Sequence, residues 1–272
     1  MINLTMINDR IEFKVSEHIA HVRFARGKKM NALDPKMFEA IHQLDTYLRA
    51  DKSIRVVIVS GEGGNFCAGL DKSNFENIVN PKQHDAAPEL KNRTHGIANA
   101  PQYAVWMWRE LPMPVIAAIE GAALGGGLQI ALAADMRFST PDSYYSIMEL
   151  KWGIIPDMGS TQIMKNLIRD DVIRELTYTA RVFSAEQALQ WGFISAIHDD
   201  PVAHALSVAK EIVERNPHAV RSAKKVINQS YYLNAAQGLL IESEEQQKLM
   251  GQANQIEAVM AVMQGRQAKY ED

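Results

Sequence analysis

The fold is decided by one stretch of this sequence, Pro114-Val115-Ile116-Ala117-Ala118-Ile119-Glu120-Gly121-Ala122-Ala123-Leu124-Gly125-Gly126-Gly127. Its first half is a nearly unbroken apolar run, which predicts a strand covered on both faces. Its second half is rich in glycine and leads into the apolar segment Leu128 to Ala134, which predicts a tight turn followed by a helix. A strand, a glycine turn and a helix in this order are typical of an α/β layer with largely parallel strand pairing.

A second copy of this order lies earlier in the chain. Arg55 to Gly61 is rich in β-branched residues and predicts another buried strand, which leads into the glycine-containing turn Gly63 to Asp71. Because turns after the carboxyl ends of parallel strands line the ligand crevice of a sheet, we expect the two turns to lie together. Their backbone N–H groups could then converge on one oxygen as an oxyanion hole. The alternative is that Gly125 to Gly127 only permits close packing of helix against strand; neither turn has the glycine spacing of a nucleotide-binding loop.

The elements around these two units extend the alternation. His18 to Phe24 predicts a strand, and Asp34-Pro35 predicts the N-cap and first residue of a helix that ends near Ala50. Met136 to Ser139 predicts a further short strand. From about Gly159 onward the pattern predicts helices and no independent sheet. The predicted helical segments are Leu176 to Ala180, Ser184 to Trp191, Pro201 to Arg215, Pro217 to Gln229 and Ala235 to Gln264.

The composition excludes several classes of function. The 272 residues contain 29 Lys and Arg against 32 Asp and Glu, so no excess of positive charge favours nucleic acid as a partner. The single cysteine, Cys67, excludes a disulfide framework, fits a reducing compartment, and is expected to be a small buried side chain. No two histidines stand at the i,i+4 spacing of a metal-binding His-Glu-x-x-His motif, so no metal is expected.

Two stretches indicate where the protein resides in the cell and how a ligand could reach its pocket. The most apolar stretch, Met113 to Met136, contains Glu120 and Asp135, and the amino terminus lacks the apolar core of a signal peptide. We therefore expect a cytoplasmic protein with no membrane partner. The polar segment Asn80 to Pro101 is interpreted as a solvated surface loop, with a lid over a ligand pocket as the alternative. The aromatic residues after it are expected in the core, or else as the wall of an acyl pocket: Tyr103, Trp106 and Trp108.

Two acidic residues stand in apolar surroundings. Glu149 lies within Ser146-Ile147-Met148-Glu149-Leu150, where burial would raise the pKa of its carboxyl group, as a general acid or base requires. Asp157 follows after Ile154-Ile155-Pro156. Each has a structural alternative: Glu149 could form a salt bridge with a lysine or arginine, and Asp157 could cap the helix predicted after Gly159.

Taken in order, these motifs resemble the crotonase (enoyl-CoA hydratase/isomerase) superfamily. The resemblance extends from Arg26 to the carboxyl terminus and rests on Phe66-Cys67-Ala68-Gly69-Leu70-Asp71, Leu124-Gly125-Gly126-Gly127, Glu149 and the closing Gly265-Arg266-Gln267-Ala268-Lys269-Tyr270. It implies an α/β fold in which a spiral of ββα repeats with a CoA thioester site (residues 1–200) precedes a helical trimerisation region (residues 201–272). It also implies a homotrimer or a dimer of trimers. The substrate would be an acyl-CoA thioester, with coenzyme A as part of the substrate and no separate cofactor.

The resemblance also implies roles for individual residues. The backbone N–H groups of Leu70 and Gly126 would form the oxyanion hole and stabilise an enolate oxygen as negative charge develops on it. The residues implied in CoA binding are Arg26, Lys28, Lys29, Met30 and Ala68.

The sequence departs from the hydratases of the superfamily at two positions. Those enzymes carry two glutamates, of which the second matches Glu149 while the first falls at Gln129. Glutamine cannot accept a proton at neutral pH, although it can hydrogen-bond a water. Asp157 stands where hydratases usually have glycine and where the dienoyl-CoA isomerase branch has an acid. That branch carries an aspartate at the Gln129 position, so the match to it is also incomplete.

These departures favour double-bond isomerisation. Glu149 is the expected base and Asp157 the second acid/base, while Leu70 and Gly126 hold the dienolate. One alternative is hydration of a 2-enoyl-CoA by Glu149, with Gln129 holding the water. Another is a non-catalytic acyl-CoA binder.

Overall fold

The computed structural model describes residues 4–73 and 89–272, and these residues form two sheets. The strands are β1 (Thr5–Ile7), β2 (Ile11–Ser16), β3 (Ile19–Phe24), β4 (Val56–Gly61), β5 (Val115–Ile119), β6 (Ala122–Leu124), β7 (Met136–Ser139), β8 (Tyr144–Ser146), β9 (Phe183–Ser184) and β10 (Ala196–Ile197). The larger sheet has the order β1-β2-β3-β4-β5-β7-β10, and the smaller sheet has the order β6-β8-β9. From β3 to β10 the strands of the larger sheet pair in parallel, whereas β1 and β2 add antiparallel strands at one edge.

Helices cover the larger sheet and continue to the carboxyl terminus. They are α1 (Pro35–Ala50), α2 (Ala100–Glu110), α3 (Gly126–Ala133), α4 (Ser160–Met164), α5 (Asp170–Thr179), α6 (Ala185–Trp191), α7 (Pro201–Val213), α8 (Pro217–Ser230), α9 (Ala235–Leu249) and α10 (Ala253–Gln264).

The apolar runs of β4 and β5 divide between two cores. Val57 and Val115 point to the larger core, which also contains residues of α1, α2 and α3. Val56 and Ile116 point to the opposite face, where Ala205 of α7 belongs to a smaller core. Because successive side chains of a strand point to opposite faces, a sheet covered on both sides requires a continuous apolar run rather than alternation. The expectation of an α/β layer with largely parallel pairing is confirmed.

The predicted start of α1 is confirmed in detail. Asp34 is the N-cap, and its side chain accepts a hydrogen bond from Met37 N–H at 2.9 Å. Pro35 occupies the first helical position, where its missing N–H removes no intrahelical hydrogen bond. The helix ends at Ala50, as predicted.

The carboxyl-terminal part differs from the prediction in two respects. The predicted helix from Ala235 to Gln264 is wrong, because the chain forms α9 and α10 with a break between them. Gly251 in this break has a φ of +75°, a left-handed conformation that cannot continue a right-handed helix. Two short strands in this part were also not predicted, β9 and β10. Since β9 joins the smaller sheet and β10 extends the larger one, the later part forms no independent sheet, as expected.

The polar segment predicted at residues 80–101 is described only in part. Residues 80–88 lie outside the described residues, so the choice between loop and lid stays a prediction. Residues 89–98 form turns and a short bridge between His95 and Ala98, and α2 begins after its N-cap Asn99. Among the described residues, no helix is long and apolar enough to cross a membrane.

Candidate active site

Two glycine turns pack side by side at the carboxyl ends of β4 and β5. Cys67 N–H donates to Ala122 O at 2.9 Å, and Leu124 N–H donates to Cys67 O at 3.0 Å. A Cβ added to Gly127 would lie 2.2 Å from Cys67 O, so glycine is required at this contact. The prediction that the two turns lie together is confirmed. The alternative, that the triple glycine permits close packing, explains why residue 127 is glycine.

The backbone N–H groups of Leu70 and Gly126 lie at the junction of these turns. Gly69 has a φ of +82°, and a Cβ added to it would lie 3.3 Å from Gly126 N, so the two turns are in contact here. Leu33 is hydrogen-bonded to both neighbours of Leu70, because Leu33 N–H donates to Gly69 O and Asp71 N–H donates to Leu33 O. Leu70 N–H takes no part in these two bonds and points away from Leu33. Neither Leu70 N–H nor Gly126 N–H donates to a protein group in the described parts of the chain. Two such donors, one of them at the positive end of the α3 dipole, can bind a single oxygen that gains negative charge.

Glu149 is a buried carboxyl group beside this junction. It begins the 3₁₀ turn Glu149–Trp152 and is 7% exposed. Its Oε1 lies 3.5 Å from the position of a Cβ added to Gly125, the residue before Gly126. Its Oε2 is buried and has no hydrogen-bond partner among the described residues. The base predicted from sequence therefore lies next to the proposed oxyanion position, with one oxygen free to accept a proton.

The surroundings of Glu149 favour its protonated form. Burial raises the pKa of this carboxyl group, and the charge of Asp157 raises it further. A hydrogen bond from Gln129 acts in the opposite direction because it stabilises the carboxylate. A carboxyl group with a raised pKa both accepts and returns protons near neutral pH more readily than an ordinary glutamate.

Gln129 is fixed at both ends of its amide. Its Nε2 donates to Glu149 Oε1 at 2.6 Å. Its Oε1 accepts from Met158 N–H at 3.1 Å and from Ser160 N–H at 3.3 Å. The two backbone donors require oxygen on that side, which determines the orientation of the amide. Gln129 therefore has one remaining N–H hydrogen, and no free acceptor, to offer a water or a substrate.

Asp157 lies on the exposed rim of the site. Its neighbours Pro156 and Met158 are buried, and partial desolvation raises the pKa of its carboxyl group. Asp157 is also close enough for its charge to raise the pKa of Glu149. Gln129 contacts both Glu149 and Met158, the residue after Asp157, so the two acids that the sequence predicted as a pair lie in the same part of the molecule.

The structural alternatives for these two acids are both excluded. Within the described residues Glu149 forms no ion pair; its hydrogen-bond partner is the amide of Gln129. The N-cap of α4 is Gly159, and no side chain caps that helix, so Asp157 is not a capping residue.

The segment from Arg26 to Met30 lies against the turn that carries Ala68. Ala68 N–H donates to Met30 O at 2.9 Å. Lys28 and Lys29 are exposed on the short 3₁₀ turn Gly27–Lys29. The structure therefore brings together the residues that the resemblance implied in CoA binding, with two ammonium groups facing solvent.

The guanidinium group of Arg26 is already bound by protein groups. It pairs with Asp71, donates to Ala32 O at 3.0 Å and lies 3.6 Å from Asp34 Oδ2. Burial alone would raise the pKa of Asp71, but hydrogen bonds from Ser73 and Arg26 lower it to about 2. Arg26 therefore ties its own segment to the turn that presents Leu70.

The sequence did not single out Met158 as a site residue. Its Sδ lies 3.0 Å from the position of a Cβ added to Gly126, so its side chain borders the oxyanion position. Trp106 is half-buried, and its Cε3 lies 3.6 Å from the position of a Cβ added to Gly159. Trp108 is buried in the core, as predicted. For Met158, the signal available in the sequence was its place directly after Asp157.

The described residues contain no group of three His, Cys, Asp or Glu side chains that could hold a metal ion. Cys67 is buried, as predicted, and burial raises the pKa of its thiol to about 12. The thiol is therefore protonated at neutral pH and is a poor nucleophile.

Known proteins with similar sequences and structures include both hydratases and isomerases. "Probable enoyl-CoA hydratase 2, mitochondrial" of Arabidopsis thaliana is 32% identical over 255 residues, which cover 93% of this chain and 81% of that protein. "Delta(3,5)-Delta(2,4)-dienoyl-CoA isomerase, mitochondrial" of Homo sapiens is 28% identical over 258 residues, which cover 93% of this chain and 78% of that protein. The crystal structure of an enoyl-CoA hydratase from Bacillus anthracis superposes with a TM-score of 0.85 at 28% identity, covering 96% of this chain and 98% of that chain.

These similarities, together with the fold, define an enzyme of the crotonase superfamily. The chain belongs to the enoyl-CoA hydratase/isomerase family, whose model matches residues 14–272. The predicted superfamily and fold class are therefore confirmed. Because the relatives include both hydratases and an isomerase, membership alone does not select the reaction.

Proposed function

We propose that this enzyme moves the double bond of an enoyl-CoA thioester into conjugation with the thioester carbonyl. The observation that carries this proposal is the amide of Gln129, which stands where the resemblance puts the first of the two glutamates of a hydratase. Its oxygen accepts from Met158 N–H and Ser160 N–H, so it has no acceptor with which to orient or deprotonate a water. Glu149 and Asp157, by contrast, are both carboxyl groups whose pKa is raised by burial, and the charge of Asp157 adds to the rise at Glu149.

The proposed reaction begins with proton removal next to the carbonyl. Leu70 N–H and Gly126 N–H donate to the thioester oxygen, while Glu149 Oε2 removes a proton from the carbon between the carbonyl and the double bond. The electron pair of the broken C–H bond delocalises onto the oxygen as a dienolate. The two N–H donors are already in place, so they stabilise that charge without reorganisation.

Asp157 completes the proposed reaction. In its protonated form it gives a proton to the carbon at the far end of the dienolate, where the electron pair of the terminal C=C bond forms the new C–H bond. The enolate C=C pair shifts to become the conjugated double bond, and the electron pair on oxygen re-forms the carbonyl. Substrate and product have the same composition, and one proton moves from Asp157 to Glu149 in each turnover. Transfer of that proton back to Asp157 restores the starting state, which a coupled pair of acids with raised pKa values favours.

The CoA part of the substrate is proposed to lie along the segment from Arg26 to Met30. Lys28 and Lys29 are exposed and without acidic partners among the described residues, so their charges are available to its phosphates. Ala68 and Met30 form the adjoining backbone wall. Arg26 contributes through its bonds to Asp71, which hold this wall against the oxyanion turn.

Hydration of a 2-enoyl-CoA is the second candidate function. It is favoured by Glu149 Oε2, which is buried with no hydrogen-bond partner in the described parts of the chain and could accept a proton from a water. The remaining N–H hydrogen of Gln129 could donate to that same water. In this reaction Glu149 would act alone as base and acid.

One experiment separates the two reactions. The purified protein is incubated with hex-3-enoyl-CoA while ultraviolet absorbance and mass are followed. Conjugation without a change of mass is the expected result. Conjugation followed by the gain of one water would support hydration instead, and no change with any enoyl-CoA would contradict both.

We also propose that the chain assembles as a homotrimer or a dimer of trimers through its carboxyl-terminal helices. Leu239 and Leu240 of α9 and Val262 and Met263 of α10 are large apolar side chains that are exposed in the single chain. Apolar side chains exposed together on adjoining helices favour association, because contact removes them from water.

A further inference from the structure

A cavity of about 700 Å³ lies between α2 and the helices α8 and α9. This volume is in the range of small-molecule pockets. Its lining combines apolar residues such as Ile97 and Leu111 with several charged side chains. Nothing in the proposed chemistry at Glu149 uses these charges.

Trp106 connects the cavity to the candidate active site. Its side chain lines the cavity, and its ring packs on Gly159. Gly159 stands between Met158 and Ser160, the two residues whose N–H groups hold Gln129 in place. Trp106 therefore lies both against the turn that carries Asp157 and Met158 and at the wall of the cavity.

Arg109 follows Trp106 on the same face of α2. Residues three apart on a helix are neighbours, and they are separated by about 4.5 Å along the axis. Arg109 lines the cavity, where its guanidinium carbon lies 5.6 Å from the ring centroid of Tyr231. It donates no hydrogen bond to a protein group among the described residues, so the donors of its guanidinium are available to a ligand.

The other cations of the cavity already have partners. Arg49 pairs with Asp45, Lys224 with Asp135, and Lys225 with Glu245. Arg221 donates to the backbone oxygens of Lys52 and Ile54. Glu110, the remaining carboxylate of the lining, accepts from the indole N–H of Trp106 at 3.0 Å. Among the described residues, Arg109 is thus the cation of this cavity that is left without a protein acceptor.

The charge of Arg109 lowers the pKa of two buried basic groups, Lys224 and Arg137. Burial lowers the pKa of Lys224, and the charge of Arg109 lowers it further, against the effect of Asp135. Burial likewise lowers the pKa of Arg137 to about 10, with Arg109 again contributing. An anion next to Arg109 would relieve this repulsion between like charges.

We propose that the cavity receives the far end of the acyl chain and that Arg109 binds a carboxylate there. The substrates of the enzyme would then be thioesters of dicarboxylic acids. A planar guanidinium with free donors matches a carboxylate in two parallel hydrogen bonds. The apolar lining accommodates the methylene groups between the two ends of such a chain. This inference rests on the proposed function, because it assumes that the thioester lies at Leu70 and Gly126.

Binding of unreactive thioesters tests the inference without relying on turnover. The affinities of glutaryl-, adipyl- and suberyl-CoA are compared by calorimetry with those of pentanoyl-, hexanoyl- and octanoyl-CoA, so that each pair differs only in the terminal carboxylate. At least one dicarboxylic thioester is expected to bind about tenfold to hundredfold more tightly than its partner, the range of a hydrogen-bonded charge pair. Equal affinities in all three pairs would overturn the proposal.

Variants of Arg109 test whether this side chain causes the preference for dicarboxylic thioesters. Arg109→Gln is expected to abolish it while leaving the affinity for the monocarboxylic thioesters unchanged, and Arg109→Lys is expected to retain part of it. Arg174→Gln, which removes an exposed arginine on α5, is the matched control and should leave the preference intact. A preference that survives Arg109→Gln would contradict the assignment.

The same experiments distinguish failure of this inference from failure of the proposed function. If a dicarboxylic thioester binds preferentially but no enoyl-CoA is converted, the proposed reaction is wrong and the carboxylate site stands. If hex-3-enoyl-CoA is converted and no dicarboxylic thioester is preferred, the reaction stands and the carboxylate site is wrong.

Discussion

Gln129 Nε2 donates a hydrogen bond of 2.6 Å to Glu149 Oε1, and this contact joins the candidate base to the candidate oxyanion hole. Gln129 lies three residues after Gly126 on α3, so both belong to the first turn of one helix. The amide of Gln129 also binds Met158 N–H, which fixes the turn that carries Asp157. One side chain therefore sets the relative positions of the base, the second acid and one oxyanion donor.

Glu149→Gln is expected to lower isomerase turnover by about 10²- to 10⁴-fold, which is the usual contribution of a general base. The amide keeps the size of the side chain but cannot accept a proton from carbon. Affinity for a saturated acyl-CoA should be unchanged, because Glu149 does not form the CoA wall. Rates are measured by ultraviolet absorbance and affinities by calorimetry.

Glu211→Gln serves as the control for this variant, since Glu211 is an exposed glutamate on α7. It should retain full activity. Full activity in Glu149→Gln would remove Glu149 from the mechanism.

Asp157→Asn is expected to shift the acidic limb of the pH profile of kcat/KM to lower pH. Glu149 is active as a base when ionised, so activity falls as the pH drops through its pKa. The negative charge of Asp157 raises that pKa, and removing the charge lowers it. The isomerase rate should also fall, because the amide cannot return a proton to the dienolate.

The control for the pH shift is Asp171→Asn, which removes an exposed carboxylate paired with Arg169 on the surface. Its profile should coincide with that of the wild type. An acidic limb that stays in place in Asp157→Asn would show that the two acids are not coupled.

Gln129→Glu is expected to introduce hydration of 2-enoyl-CoA substrates. The new carboxylate would face Glu149 at hydrogen-bond distance, where two buried negative charges repel each other and one proton is shared. The pKa of the pair is then raised, so the proton is held more tightly in the folded than in the unfolded protein. Stability should consequently decrease as the pH rises through that raised pKa.

Two measurements test this variant. Product mass after incubation with a 2-enoyl-CoA should show the gain of one water, and the melting temperature should be lower at pH 8 than at pH 5 by more than in the wild type. An unchanged product would show that the carboxylate at this position is not the missing element of hydration.

The larger elements could be predicted from the sequence because their signals are local. β4 and β5 are continuous apolar runs, and α1 begins with a capping aspartate followed by proline. The break between α9 and α10 was missed, since both segments continue a helical pattern. Three residues separate them, Met250 to Gln252, and the middle one, Gly251, has a φ of +75°.

The site could be predicted only as a set of residues, not as an arrangement. Glu149 and Gln129 are twenty positions apart, and their contact depends on how a 3₁₀ turn packs against α3. The sequence therefore left Gln129 free to hold a water, whereas tertiary packing commits its oxygen to two backbone N–H groups. Likewise, the Arg109 guanidinium is free to bind a ligand because the nearby acidic groups pair with other cations of the cavity. This depends on tertiary contacts, which no local sequence pattern predicts.

Val262→Asp is expected to dissociate the proposed trimer. Val262 is 83% exposed in the single chain, and its neighbour Met263 is 78% exposed. If an adjoining subunit covers them, a buried unpaired carboxylate there would be unfavourable. Light scattering after size-exclusion chromatography measures the mass. Val182→Asp, at another exposed valine, should leave the mass unchanged; a wild-type protein that is monomeric would contradict the assembly.

Gly69→Ala is expected to lower kcat by about 10²- to 10³-fold, comparable to the loss of an oxyanion-hole donor. A Cβ at this position would lie 2.6 Å from Leu124 O, so the two turns must separate and their N–H groups can no longer meet at one oxygen. Glu149 and Gln129 are not touched by this change. Turnover of hex-3-enoyl-CoA and the free energy of unfolding are measured for the variant and the wild type.

Gly64→Ala is the control that separates backbone strain from steric separation of the two turns, the two effects of replacing Gly69. Gly64 has a φ of +69°, close to the +82° of Gly69, but a Cβ there would meet no atom within 4 Å. Both variants should lose about 1 to 3 kcal/mol of stability from the left-handed backbone conformation. Since only Gly69→Ala forces the turns apart, only it should lose activity. Equal activity in the two variants would mean that the contact between the turns does not form the oxyanion hole.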